Sequence, residues 1–145
     1  MNNPTVALSF LHPRNQPRFA FALAGRGEKA GAATWKLRFT ETARPALTRT
    51  PQGQDVPARG LLWIEAGSGA LVASRLELRP PGPGPVVIET LYARDDRLDG
   101  WLPAEMREAV GNRSRSGWEE RVEALARYSG WRRPQVEVQP IVPVR

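Results

Sequence analysis

A single histidine, His12, and the absence of cysteine set the first limits on the chemistry open to this sequence. A zinc or copper site would have to combine that one imidazole with carboxylates alone, a rare ligand set. Standing beside Pro13, His12 reads instead as a surface or helix-end residue. Thiolate metal sites, disulfides and cysteine nucleophiles are excluded. A serine triad would need His12 with Ser9, Ser68 or Ser74, and the G-x-S-x-G elbow is missing. Carboxylates gather twice, as Asp95, Asp96 and Asp99 in one turn and as Glu119, Glu120 and Glu123 later. A glycosidase pair holds its carboxyls roughly 5–9 Å apart in a cleft, whereas turn aspartates chiefly bond their own backbone. The run DDRLD lacks the spacing and glycine of a calcium loop. Gly25–Gly31 and Gly67–Gly69 lack the G-K-[ST] ending of a phosphate cradle. Asn112-Arg113-Ser114 fits a glycosylation acceptor, a pattern short enough to arise by chance. The reading is of a non-enzymatic protein with no metal and no cofactor.

The charge is +6 and almost wholly arginine, since Lys29 and Lys36 are the only lysines. Such an excess suits nucleic acid, anionic lipid or an acidic partner, or simply solvates the surface. Arg113, Arg115, Arg121, Arg127, Arg132 and Arg133, with Trp118, Tyr128 and Trp131 among them, are the types that stack on and neutralise single-stranded nucleic acid. Core-facing aromatics with outward arginines give the same pattern, so nucleic acid is the less favoured partner.

These side chains need a scaffold. At 145 residues, 41% apolar and 25% charged, the chain fits one globular domain. No apolar run approaches the roughly 20 residues of a membrane helix. MNNPTVALSFLHPRNQ has no basic residues ahead of its apolar stretch and is not expected to be a secretory signal. The chain is expected to be either a whole protein or a domain of a longer precursor. Pro4–Leu11 has helical spacing at Val6, Ala7, Phe10 and Leu11, with Asn3 as cap and Pro4 at the first position. Then the period becomes two. Phe19, Phe21 and Leu23 share one face of Arg18–Ala24, and Trp35, Leu37 and Phe39 one face of Thr34–Thr40. With Gly25–Gly31 read as the turn, they form a hairpin. Pro45–Pro57 is a loop. Leu61–Glu65 and Leu71–Arg79 form a second hairpin around Glu65–Gly69. In its return strand Val72, Ser74, Leu76 and Leu78 oppose Ala73, Arg75, Glu77 and Arg79. Both faces of LLWI are apolar, so that strand is central or covered twice. Pro80–Pro85 is a connection, Pro85–Arg94 a strand and Asp95–Gly100 a turn. AEMREAV is ambiguous, and WEERVEALARY reads as helix by propensity or as strand by alternation. The tail alternates at Val136 and Val138.

The stretches LWIEAGSGALVASRLEL and VVIETLYARDDRLDGWLPAEM give the chain a likeness to a known family. Trp63, Ile64, Glu65, Gly69, Trp101, Pro103 and Met106 carry it. The chain resembles the LolA-like lipoprotein-carrier and lipoprotein-sorting superfamily, in the variant forming the later part of bacterial secreted proteins. Glu65 stands where that pattern usually has Asp. The resemblance runs roughly over 19–133. It implies a curved antiparallel sheet forming an incomplete barrel with a hydrophobic concave side. It also implies strand rather than helix for both ambiguous segments, and a periplasmic or secreted location if the chain comes from a longer precursor.

The expected fold is therefore mainly β: a curved antiparallel sheet of about six or seven strands with a short N-terminal helix. The division is a helical lead-in at 1–15, sheet at 16–138 and tail at 139–145. The expected ligand-binding face comprises Phe19, Phe21, Leu37, Phe39, Trp63, Leu76, Leu78, Ile88, Tyr92 and Met106. At roughly 25 cal/mol per Å² of apolar surface, a lipid tail or lipidated polypeptide could bind there by burial alone. The hollow either stays open for such a guest or is filled by Phe10 and Leu11. The alternatives are an interaction module of a larger envelope protein that recruits a protein partner through an edge strand, and an arginine-rich nucleic-acid binder.

Overall fold

The computed structural model describes residues 4–82, 84–113 and 119–132. A six-residue helix, α1 (Val6–Leu11), and a 3-10 turn (Gln16–Arg18) lead into seven strands. These are β1 (Phe19–Lys29), β2 (Ala32–Glu41), β3 (Ala58–Glu65), β4 (Leu71–Leu78), β5 (Val86–Asp95), β6 (Gly100–Arg113) and β7 (Glu119–Arg127). They form one open antiparallel sheet in chain order, with β1 and β7 at its ends. The mainly β expectation holds and the short N-terminal helix is present, but it begins at Val6 with Thr5 at the N-cap rather than with Pro4 at its first position. The tail at Val136 and Val138, like Asn3, lies outside the described residues.

The hairpins differ from their expected bounds for a local reason. GRGEK continues β1 rather than turning, because Gly25 (φ 146°) absorbs a bulge between Leu23 and Gly25. The reversal falls at Ala30 and Gly31, both at positive φ (52° and 74°), the geometry that suits the right-handed twist of paired strands. AEMREAV and EERVEALAR are strands, paired to each other from Glu105↔Arg127 to Arg113↔Glu119. Partner strands outweigh their helix propensity. Pro103 sits inside β6 because a second bulge, opposite Leu91 and Tyr92, interrupts the ladder there.

Register assigns the faces. One rung crosses the whole sheet as Leu23, Leu37, Leu62, Ser74, Thr90, Met106 and Ala126. The next rung on that side runs Phe21, Phe39, Gly60, Leu76, Ile88, Glu108 and Ala124. This inner face meets α1 and the 42–57 loop, and the core forms between them from Phe10, Phe19, Phe39, Val56, Leu62, Leu76, Ile88 and Met106. Leu62 and Leu76, with at most 2% of their surface exposed, each contribute roughly 1.5–3 kcal/mol by burial. Gly60 leaves room for the Phe39 ring. A Cβ there would lie 1.8 Å from the Arg75 carbonyl oxygen and 2.9 Å from the ring, so any side chain would force β3 from β4.

The 42–57 loop is tied down by a buried carboxylate. Glu41 accepts from the Leu47 N–H (2.7 Å) and the Ala58 N–H (3.1 Å), with Arg18 Nε 3.8 Å away. Two charge-assisted bonds to backbone donors compensate its burial.

Candidate functional site

The structure divides the ten expected ligand-face residues into three groups. Phe19, Phe39, Leu76, Leu78, Ile88, Tyr92 and Met106 are buried on the inner face. Phe10 reaches the same wall and packs against Phe19 with ring centroids 5.5 Å apart, while Val6 and Leu11 lie against the cluster. The Tyr92 hydroxyl donates to the Pro4 carbonyl (3.4 Å), and burial raises the phenol's pKa, opposed by a hydrogen bond with Ser74. The middle of the wall is thus occupied by the chain's own N-terminal segment and loop.

Phe21 and Leu37 form the second group, at the margin. Leu37 is half-buried, whereas Phe21 is 42% exposed and Leu23, outside the expected ten, 59% exposed. The alternation that marks Phe19 and Phe21 also marks Leu23, so the signal for it was present.

Trp63 is alone on the outer face, paired with Lys36 and Ala73. LLWI is apolar on both sides, so its sequence carries no sign of which side Trp63 takes. Lys29 Nζ and Lys36 Nζ stand 4.8 and 5.6 Å from the Trp63 ring centroid, within cation–π range. Elsewhere this face is laced by ion pairs across strands, Arg59–Glu77 (2.7 Å) and Arg75–Glu89 (2.5 Å) among them. Arg59 and then Arg79 hold Glu77 below the usual carboxylate range against the opposing pull of desolvation. Two shallow grooves of about 200 and 300 Å³ border the Arg75–Glu89 pair, the first beside Trp63 and Leu91, the second beside Val87 and Leu125.

The residues weighed above for chemistry have structural partners. His12 Nδ1 accepts from the Arg14 N–H (3.2 Å) on the exposed N-terminal turn. Ser9 bonds the Val6 carbonyl, Ser68 bonds Glu65, and Ser74 is buried in the sheet. In the acidic turn Asp95 caps the Leu98 N–H (3.0 Å), and Arg94 holds Asp96 (3.2 Å) and Asp99 (2.8 Å). No group of three His, Asp or Glu that could hold a metal occurs among the described residues. No helix among them is long and apolar enough to cross a membrane. Of the basic and aromatic segment, Tyr128 and Trp131 are tied to β6: the Trp131 Nε1–H donates to the Pro103 carbonyl (3.1 Å) and the Tyr128 hydroxyl contacts Met106 Sδ (3.8 Å). Arg127 reaches Glu105 at 3.5 Å. Arg115, Trp118 and Arg133 lie outside the described residues, as do the side chains of Arg113 and Arg121.

Among the described residues exposed apolar side chains remain on both terminal strands, with Val122 (59%) and Leu125 (51%) interleaved with charges on β7 and the longest unbroken run on β1. Ala20, Phe21, Ala22, Leu23 and Ala24 are all exposed, on a strand that ends the sheet. A run of five exposed apolar residues is an error in a well-patterned chain unless it has a use. No family model matches the chain, and no curated protein or solved structure matches it.

Proposed function

We propose that this domain is a non-enzymatic interaction module whose contact is the β1 edge and the adjoining inner margin at Phe21, Leu23 and Leu37. One observation carries it: the apolar run Ala20–Ala24 stays exposed on a terminal strand while the wall beside it is filled. An edge strand of this kind offers main-chain hydrogen bonds to an added strand and apolar pockets to its alternate side chains. The test is a capped alternating Val-Thr octapeptide added to labelled protein at low micromolar concentration. Amide shifts confined to 19–25 support the reading; no shifts at millimolar peptide, or shifts at β7 instead, remove it.

A second reading, a carrier of lipid or lipidated polypeptide like the LolA-like family that the chain resembles, is favoured by the wall itself. Phe39, Leu62, Leu76, Ile88 and Met106 make a continuous apolar surface under a helix of six residues with no side-chain cap. So short a helix is marginal by itself and is held by packing. In this reading α1 is a plug that an acyl chain displaces, in a periplasmic or extracellular setting. Palmitate should then raise the melting temperature and shift the ring signals of Phe10 and Phe19. An unchanged melting curve at saturating palmitate removes the carrier.

A further inference from the structure

The hydrogen-bond phase of β1 adds a geometric condition to its exposure. The Thr42 N–H donates to the Arg18 carbonyl (2.9 Å), and 18 and 42 continue the register that pairs Phe19 with Glu41. In an antiparallel ladder bonded pairs alternate with unbonded ones. Ala20 and Ala22 therefore bond to β2, while Phe21 and Leu23 turn their N–H and C=O toward the open edge. The free stretch is bounded on both sides. The Phe19 N–H is taken by the Gln16 carbonyl, and the bulge between Leu23 and Gly25 breaks the ladder beyond. Beyond the outward Phe19 C=O, four backbone groups, two donors and two acceptors, remain between these bounds in one uncharged line.

We propose that this line is closed by a second copy of the chain, antiparallel, about a two-fold axis at Ala22. The inference rests on the reading of β1 as a contact edge and names its partner. With Ala22 opposite Ala22, Phe21 of each copy faces Leu23 of the other. Each such pair exchanges two hydrogen bonds, so all four groups on both edges are satisfied at once. Phe21 and Leu23 of the two copies also meet side by side on the inner face, and no charge lies between Phe19 and Gly25 to oppose an identical strand. At the other end of the sheet the same phase argument applies, since the Tyr128 N–H donates to the Ala104 carbonyl. There the outward backbone groups belong to Glu123, Leu125 and Arg127. Charges on an edge strand discourage further pairing. An isologous β1–β1 contact therefore ends as a dimer, with both charged edges outermost and no filament. The contact is small and belongs below roughly 1,200 Å² in total, where association is weak and transient.

The test is sedimentation equilibrium from low micromolar to millimolar protein. The mass is expected to rise from 16.1 kDa toward twice that value and to go no higher. Leu23→Pro removes an N–H that the β1–β2 ladder does not use, so it should remain folded and stay monomeric. Leu125→Pro, its counterpart on β7, should dimerise normally. Because the chain has no cysteine, Ala22→Cys gives a second readout that does not depend on the proline variant folding. Opposed Cα atoms about 4.5 Å apart suit a disulfide, and mild oxidation should yield a covalent dimer, whereas Leu125→Cys should not. A monomer at every concentration, loss of dimer in Leu125→Pro but not in Leu23→Pro, or growth past the dimer overturns the proposal. A protein that stays monomeric yet takes the Val-Thr octapeptide at 19–25 overturns only the second copy and leaves the contact edge standing. One that does neither removes both.

Discussion

Phe19 and Phe21 stand two residues apart on the same face of the same strand, their rings 6.2 Å apart. Phe19 is 7% exposed and packed between Phe10 and Phe39, while Phe21 is 42% exposed. The alternation that puts both on one face does not make both core. The difference comes from outside the strand: α1 and the loop held by Glu41 cover one ring and stop before the other. A sheet face becomes interior only where something lies on it, and the uncovered remainder is available for contact.

The sharpest way to break this comparison is to truncate both rings. Phe19→Ala should lose about 3–5 kcal/mol in urea denaturation, as buried aromatic truncations do, and Phe21→Ala less than about 1 kcal/mol, as surface changes do. Equal losses would mean that the two environments are alike. Next comes the loop anchor. Glu41→Leu leaves the Leu47 and Ala58 N–H groups without their acceptor and should cost about 1–3 kcal/mol. It should also raise hydrogen exchange at Leu47 more than at Phe21. The smallest effect belongs to the outer face. Glu77 has its pKa lowered by Arg59 and Arg79, so its contribution is present above the ordinary carboxylate value and is lost as pH falls through the lowered folded value. Arg59→Gln should therefore cost only about 0.2–1 kcal/mol at neutral pH. The gap from the parent should close in acid; a gap that persists at the lowest pH would assign the loss to packing instead.

Much of this was legible in the chain. TWKLRFT and SRLELR alternate so cleanly that β2 and most of β4 follow from period two, whereas the bulge opposite Trp63 and Ile64 and the buried Ala73 do not. The sequence left open whether the wall stays vacant or is filled by Phe10 and Leu11; Phe10 enters the core and Leu11 lies against it. What stayed hidden depends on neighbours distant in the chain. GRGEK reads as a turn because glycines usually punctuate, yet Gly25 serves a bulge and the reversal uses Ala30, a residue type that gives no sign of positive φ. AEMREAV and EERVEALAR look helical until each is offered the other as a partner. Trp63 lies in a strand apolar on both sides, so only pairing with Lys36 and Ala73 shows where it points. The phase of the β1 edge rests on one bond from Thr42 to Arg18, which no local pattern encodes.

The order of strands in the sheet has a kinetic consequence. Each strand pairs only with those before and after it in the chain, so assembly can zip hairpin by hairpin, closing short loops at small entropic cost. The contact between Tyr92 and Pro4 breaks that economy by spanning 88 residues. The helix cannot complete its seat until β5 is in place, so it is set to dock late, onto a sheet already built.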